Sequence, residues 1–255
     1  MMFQDLVVWL DYSNNNNNIL VMDQYLLKTN ITTFLKDQQS NVNISKDVVD
    51  LIGGLINNQQ PAYYNSDDQY YIYTVPKLGD GGTCSLKHET EIFDLTTVVG
   101  QRSEQLSSLI SRLYQITKAI QKLTDVDWIG IYKVYQVNGE KCLTKLAYQG
   151  EISRPLFPLN SYWETISNNS FVGINGKGKI IQSLESYDGP YYNCSDKVKS
   201  ELCIPIFDRQ LDQVIGIIDA ESWKDTHFND KNILELSQLA VDLSTLLSDP
   251  LLLNK

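Results

Sequence analysis

A thiol and three carboxyl groups lie close together in the C-terminal third of the chain. Cys194 stands in the polar run 191–196, and Glu201, Asp219 and Glu221 follow on two apolar segments. A thiol can attack an electrophilic centre, and a carboxyl group held among apolar neighbours can keep its proton at neutral pH. The sequence therefore pairs a possible nucleophile with possible proton donors.

The spacing of the carboxyl groups indicates that they share one face of a sheet. Asp219 and Glu221 are two residues apart in the apolar segment 214–221, which has the composition of a strand. Side chains at this spacing point to the same side of a strand, so we expect a lined pocket that also includes Glu201. An edge strand with two exposed acids is the alternative.

Two aromatic residues have the spacing of pocket walls. Trp128 and Tyr132 are four residues apart in the predicted strand 128–134, so both side chains belong to one face. Packing in the core is an equally simple explanation of the same pattern.

Composition narrows the class of protein. The 255 residues carry a net charge of −10, and an acidic surface repels nucleic acid and anionic membranes, so neither is expected as a partner. No segment approaches the ~20 apolar residues that span a bilayer, and the N-terminus lacks the basic region of a secretory signal. The four cysteines form no CxxC pair, and with only two histidines no metal site is expected. We expect a cytoplasmic protein in a reducing compartment.

Hydrophobic periodicity after residue 100 predicts an α+β domain at 101–250. Apolar residues recur at helical steps between residues 106 and 123, and again from 233 to 247 behind the helix-capping residue Asn229. Four strand-like segments form two hairpins between these helices: 128–134, 143–148, 201–207 and 214–221. The order of elements predicts an antiparallel sheet covered by the N- and C-terminal helices, with an irregular connection at 149–188.

Residues 1–100 are predicted to form a less regular, partly ordered extension. It is rich in Asn, and the run Asn14–Asn18 lacks the apolar area that offsets the entropy cost of ordering a chain. We expect a mobile loop at this run and a strand at 70–75.

The segment 103–248 resembles a GAF domain and, within that superfamily, the free methionine-(R)-sulfoxide reductases. The resembling motifs keep the family's order and approximate spacing: 128–132, 148–150, 192–196, 200–201, 216–221 and 228–230. This family reduces the sulfoxide of free methionine with a cysteine nucleophile, a role that the resemblance places on Cys194. The remaining residues implied for the catalytic and substrate-binding site are Glu201, Asp219, Glu221, Trp128 and Tyr132.

The sequence departs from this family at two auxiliary cysteines. Arg154 stands at one of these positions and Val172 at the other, while Glu221 replaces the usual Asp. Arg154 has three possible roles: it binds a substrate carboxylate, closes over an acidic site, or stays solvated.

A sulfenic acid on Cys194 requires a second thiol to resolve it. Cys203 and Cys84 are the candidates in the chain, although the apolar neighbours of Cys203 are typical of a buried core thiol. Cys142 is expected only to end a hairpin strand. The alternative is an external reductant such as thioredoxin or glutathione, with no bound cofactor.

Three functions remain open. The first is a cytosolic reductase of free methionine-(R)-sulfoxide. The second is a non-catalytic GAF module that binds a small molecule or signals, which agrees with the two missing thiols. The third is a dimerisation domain in which the helices at 103–124 and 230–247 form a homodimer interface. The sequence contains no kinase, cyclase or DNA-binding segment for a sensor to control, which favours the enzyme.

Overall fold

The computed structural model describes residues 15–36, 53–55, 70–79, 82, 86–192 and 195–252. The α-helices are α1 (Asn15–Lys28), α2 (Thr96–Val99), α3 (Glu104–Thr124), α4 (Ser161–Ile166), α5 (Asn168–Asn175) and α6 (Asp230–Leu247). The strands are β1 (Ile72–Lys77), β2 (Leu86–Asp94), β3 (Trp128–Val137), β4 (Glu140–Gln149), β5 (Leu156–Pro158), β6 (Lys179–Ile181), β7 (Ser200–Phe207) and β8 (Val214–Ser222). Short 3-10 turns follow α1 and α6, at Ile31–Phe34 and Pro250–Leu252.

Six strands form one antiparallel sheet in the order β5-β4-β3-β8-β7-β6. The hairpin β3–β4 turns at Asn138 and Gly139, whose φ angles of 53° and 83° are both positive, as a two-residue hairpin turn requires. Strand β3 also pairs with β8, so the two predicted hairpins meet in the middle of the sheet. The predicted α+β class and the antiparallel sheet are confirmed.

Each face of the sheet packs against a different layer. Helices α3 and α6 cover one face, where the side chains of Ile131, Ile204 and Ile218 lie in the main core. Asn229 caps α6 as expected, since its Oδ1 accepts from Asn232 N at 3.0 Å, and Ser103 caps α3, since its Oγ accepts from Leu106 N at 3.1 Å. The opposite face carries a smaller cluster of buried side chains: Trp128, Tyr132, Leu143, Phe157, Val172, Cys203 and Ile217.

The connection at 149–188 is more ordered than its sequence predicts. It contains two short helices and two three-residue strands. Side-chain caps start the helices, because Asn160 Oδ1 accepts from Trp163 N at 3.0 Å and Ser167 Oγ accepts from Ser170 N at 3.3 Å. Elements of six to eight residues are too short to show helical periodicity, so sequence patterns miss them. Helix α5 packs on β7 and β8 from the side opposite α6.

The expectation of a loop at Asn14–Asn18 is wrong for the described part of this run. Helix α1 begins at Asn15, and Asn14 lies outside the described residues. The helix packs into the core through Met22, Tyr25 and Leu26, and the Tyr25 hydroxyl donates to the Pro205 carbonyl at 2.7 Å. Tertiary packing thus stabilises a helix that the local propensity of asparagine disfavours.

The strand expected at 70–75 is confirmed as β1, which pairs with β2 in a separate two-stranded sheet. The boundary at residue 100 stays a prediction. None of the helices in the described ranges is long and apolar enough to cross a membrane. The apolar side chains of α3 and α6 pack within the chain's own core, and a homodimer through them stays a prediction.

Candidate functional site

A narrow cleft with a free volume of about 30 Å³ lies on the face of the sheet opposite α3 and α6. The residues predicted from the strands line it together: Trp128, Tyr132, Glu201, Asp219 and Glu221. The connection at 149–188 supplies Ser153, Arg154, Phe157 and residues 167–169, and the segment before Cys194 supplies Tyr191 and Tyr192. The cleft therefore lies between the sheet and the short elements that cover it.

Strand register explains why the carboxyl groups meet. Glu201 on β7 pairs with Glu221 on β8, and Asp219 lies two residues before Glu221 on the same face. Strand β8 lies between β3 and β7. The alternative of an edge strand with exposed acids is therefore wrong, because Asp219 is buried and Glu221 is only partly exposed.

Amides of helix α5 hold two of the carboxylates. Asn168 Nδ2 donates to Glu201 Oε1 at 2.9 Å, and Asn169 Nδ2 donates to Asp219 Oδ2 at 2.9 Å. The other Asp219 oxygen, Oδ1, is buried without a hydrogen bond to any described group. A buried oxygen without a donor favours the protonated carboxyl or a ligand that donates to it.

The environment raises the pKa of all three carboxyl groups. Removal from water is the largest cause in each case. Repulsion adds to it, since Glu201 raises the pKa of Asp219, and Asp219 raises the pKa of Glu221. The amides of Asn168 and Asn169 oppose the rise only in part. The group can therefore hold protons at a pH where exposed carboxylates have lost them.

Lys145 is a functional candidate that the sequence analysis missed. Its side chain is fully buried, and Nζ donates to Ser153 O at 2.8 Å and to Ser153 Oγ at 2.7 Å. Burial lowers the pKa of Lys145 to about 7, although the charges of Asp219 and Glu221 oppose this. No local pattern signals this position, because the segment 142–147 mixes apolar residues with Thr144 and Lys145.

We expect the Lys145→Met variant to change how stability depends on pH. The folded pKa of Lys145, about 7, lies below its ordinary value of 10.5. Between these two pH values, Lys145 is protonated in the unfolded chain and has released its proton in the folded chain. The free energy of unfolding of the wild type should therefore rise with pH, relative to the variant, by up to about 1.4 kcal/mol per pH unit.

Urea unfolding between about pH 7 and pH 10 measures this difference. The matched control is Lys141→Met, which changes an exposed lysine on the same strand and should show no such trend. A constant difference between the wild type and Lys145→Met across the window would contradict the prediction.

A glycine permits the two aromatic walls to approach each other. A Cβ atom at Gly130 would lie 2.4 Å from Trp128 and 2.9 Å from Tyr132, which no real contact tolerates. Trp128 Nε1 donates to the Glu151 carbonyl at 2.9 Å, which orients the indole. Burial and the charges of Asp219 and Glu221 raise the pKa of Tyr132, so its phenol stays protonated.

Arg154 is buried, so the expectation of a solvated side chain is wrong. Its Nη1 group donates to the Gly82 carbonyl at 2.6 Å and to the Tyr192 hydroxyl at 3.1 Å, and Nε donates to the Leu156 carbonyl. No local pattern signals this burial, because Gly82 and Tyr192, which both accept from Nη1, lie 72 and 38 residues away along the chain.

The cysteines differ in what the structure describes. Cys194 and Cys84 lie outside the described residues, so their roles as nucleophile and resolving thiol stay predictions. Cys203 is fully buried, and burial together with Asp219 and Glu201 raises the pKa of its thiol. Cys142 is also buried, with a raised thiol pKa. Tyr192, the described residue that precedes Cys194 most closely, lines the cleft.

The model of a family described as GAF domain matches residues 108–247. A search of curated proteins found no match.

Three solved structures illustrate the range of similar folds. A free methionine-R-sulfoxide reductase from Neisseria meningitidis, in complex with its substrate, is 20% identical, covering 55% of this chain and 77% of that chain, with a TM-score of 0.47. A type II free methionine-R-sulfoxide reductase from Thermoplasma acidophilum is 23% identical, covering 55% and 94%, with a TM-score of 0.45. A putative GAF sensor protein from Burkholderia vietnamiensis is 18% identical, covering 52% and 80%, with a TM-score of 0.42. Enzymes and a sensor protein thus both occur among these similar folds.

Proposed function

Because the chain belongs to the GAF domain family, we propose that its cleft binds free methionine-(R)-sulfoxide and reduces it to methionine. The observation that carries the proposal is the convergence of Glu201, Asp219 and Glu221 on one water-poor face, next to aromatic walls. This arrangement supplies the two properties that the reaction needs from the protein: an anionic site for an ammonium group and a retained proton.

The cleft has complementary regions for the parts of this substrate. The α-ammonium group of a free amino acid pairs with carboxylates, which Glu201, Asp219 and Glu221 provide. The apolar carbons of the side chain pack against the rings of Trp128 and Phe157, both of which line the cleft. Among the described residues the Asp219 Oδ1 atom has no hydrogen-bond partner, which suits a retained proton that it can donate to the sulfoxide oxygen.

The proposed reaction transfers one oxygen atom. The sulfur of Cys194 attacks the sulfoxide sulfur, and a protonated carboxyl of the group gives its proton to the sulfoxide oxygen. This attack forms a sulfur–sulfur bond. The sulfur–sulfur bond and the sulfur–oxygen bond of the substrate then break as the oxygen moves to Cys194, where a new sulfur–oxygen bond forms. Methionine sulfur gains two electrons, Cys194 becomes a sulfenic acid, and the thiol proton restores the carboxyl.

A second thiol completes the cycle. It attacks the sulfenic sulfur to give a disulfide and water, and a further thiol reduces the disulfide. Cys203 is buried with a raised pKa, which makes it a slow nucleophile. We therefore favour a thiol from outside the described residues, either Cys84 or an external reductant such as thioredoxin.

Turnover by the full chain tests the proposal. The purified protein is incubated with L-methionine-(R)-sulfoxide and dithiothreitol, and free methionine is quantified by chromatography. We expect methionine from the (R)-epimer and none above background from the (S)-epimer. If the (R)-epimer gives no methionine above a protein-free sample, the reductase proposal is wrong.

A non-catalytic binding module is the second candidate. The observation that favours it is the burial of Cys142 and Cys203, which agrees with the expectation that Arg154 stands where the family resemblance implies a thiol. Such a module would show a ligand-dependent rise in melting temperature that persists in Cys194→Ser, without methionine formation in either protein.

A further inference from the structure

Arg154 places a positive charge in the cleft that no described carboxylate pairs with. The residue is only 6% exposed and lines the cleft. Its hydrogen bonds to described residues go to neutral acceptors, namely two backbone carbonyls and the Tyr192 hydroxyl. Within the described ranges, no carboxylate forms an ion pair with it. A buried cation without an anion is costly, so this arrangement calls for an anionic ligand.

The neighbours of Arg154 hold its guanidinium in a fixed position. The group lies over the ring of Trp163 at 4.0 Å from the ring centroid, with Phe157 at 5.3 Å. Its described bonds use Nε and Nη1. An arginine has five N–H donors, so the two on Nη2 remain for a ligand. A guanidinium fixed in this way is prepared to bind a carboxylate.

The carboxyl groups occupy a different part of the same cleft. The cations that act on their pKa values are Lys145, for Asp219 and Glu221, and Lys179, for Glu201. Tyr132 lies between the two regions, because its hydroxyl donates to the Arg154 carbonyl at 3.4 Å while Asp219 acts on its pKa. The cleft therefore has an anionic region and a cationic one, which matches the two charges of a free amino acid.

We propose that Arg154 binds the α-carboxylate of the ligand and thereby selects free amino acids over amides and peptide-bound residues. The inference rests on the proposed function for the identity of the ligand, but it does not depend on catalysis. A ligand whose carboxylate is an amide lacks the charge that the buried guanidinium requires, so the cleft would leave Arg154 uncompensated on binding it.

Calorimetry of two ligands tests the inference. L-methionine-(R)-sulfoxide and its α-carboxamide are each titrated into the full chain carrying Cys194→Ser, which prevents turnover. We expect the acid to bind about 10- to 100-fold more tightly than the amide, as for a charge-assisted hydrogen bond. Adding Arg154→Gln should lower the affinity for the acid to that for the amide and leave the affinity for the amide within about twofold.

Matched variants separate binding from structure. Arg209→Gln makes the same change at an exposed arginine in the β7–β8 loop and should keep the preference for the acid. Arg154→Lys keeps the positive charge but not the planar guanidinium group, so it should keep part of the preference for the acid. If Arg154→Gln does not fold, as judged by circular dichroism, Arg154→Lys decides: an unreduced preference contradicts the inference.

Three other results would overturn it. These are equal affinity for the acid and the amide before Arg154 is changed, an equal loss of both affinities in Arg154→Gln, and no binding of either ligand. Failure of the reductase proposal looks different, since the wild type would then form no methionine while Cys194→Ser still prefers the acid.

Discussion

A Cys194→Ser variant is expected to form no methionine from the free (R)-sulfoxide above the protein-free background. A serine hydroxyl cannot accept the oxygen atom, because only the sulfur can be oxidised to a sulfenic acid. The two cysteines that the structure describes, Cys142 and Cys203, are buried and their thiol pKa values are raised. Both stay protonated at neutral pH, so neither can replace the lost nucleophile.

A single-turnover experiment without reductant measures this loss directly. The wild type should release about one methionine per chain, in step with the appearance of one sulfenic acid that a dimedone probe can trap. Cys142→Ala is the matched control, since it removes a buried thiol and should keep this yield. Methionine release that survives Cys194→Ser but is lost in Cys84→Ser would assign the nucleophile to Cys84 instead.

The Asp219→Asn variant is expected to lower kcat by about 10²- to 10⁴-fold, the range for loss of a general acid. Asparagine keeps the shape, and its carbonyl oxygen can still accept the hydrogen bond from Asn169, which measures 2.9 Å in the wild type. The substitution removes a titratable carboxyl from the cluster of Glu201, Asp219 and Glu221, so neither the proton nor the negative charge of Asp219 is present in the variant. Steady-state rates with dithiothreitol measure the effect, and the exposed Asp188→Asn is the control.

The same variant should be more stable than the wild type at neutral pH. The folded pKa of Asp219 is raised, so the contribution of this group to the stability of the wild type is greatest below the ordinary aspartate pKa of about 3.9 and falls as the pH rises above it. Asparagine does not titrate, so the variant does not lose stability in this way. The free energy of unfolding of the variant should therefore exceed that of the wild type by an amount that grows by up to about 1.4 kcal/mol per pH unit until the folded Asp219 ionises. An unchanged kcat would contradict proton donation by Asp219. A variant that is less stable than the wild type at pH 7 would contradict the raised pKa of this group.

Period-two patterns predict the central part of the site well. The alternation in 214–221 places Asp219 and Glu221 on one face from sequence alone, because side-chain direction on a strand depends only on local geometry. The predicted strand at 128–134 does the same for Trp128 and Tyr132. The structure adds the register of β3 with β8, which pairs Trp128 with Glu221 and depends on contacts distant in sequence.

The rest of the site depends on contacts that no local pattern encodes. Arg154 is buried by Gly82, Trp163 and Tyr192, and each of these comes from a different segment. Lys145 looks like an ordinary surface residue of a strand until Ser153 and three aromatic rings enclose it. Charged side chains are rarely buried, so composition alone argues against both positions.

The packing of α1 and the β1–β2 pair affects the choice of fragments for expression. Tyr25, Ile31 and Leu95 are fully buried in the main core, although all three precede the matched segment 108–247. A fragment that begins at residue 101 would leave the Pro205 carbonyl without the Tyr25 hydroxyl and would expose apolar surface of the core to water. A shortened sample prepared for crystals or spectra thus needs these upstream residues to remain attached.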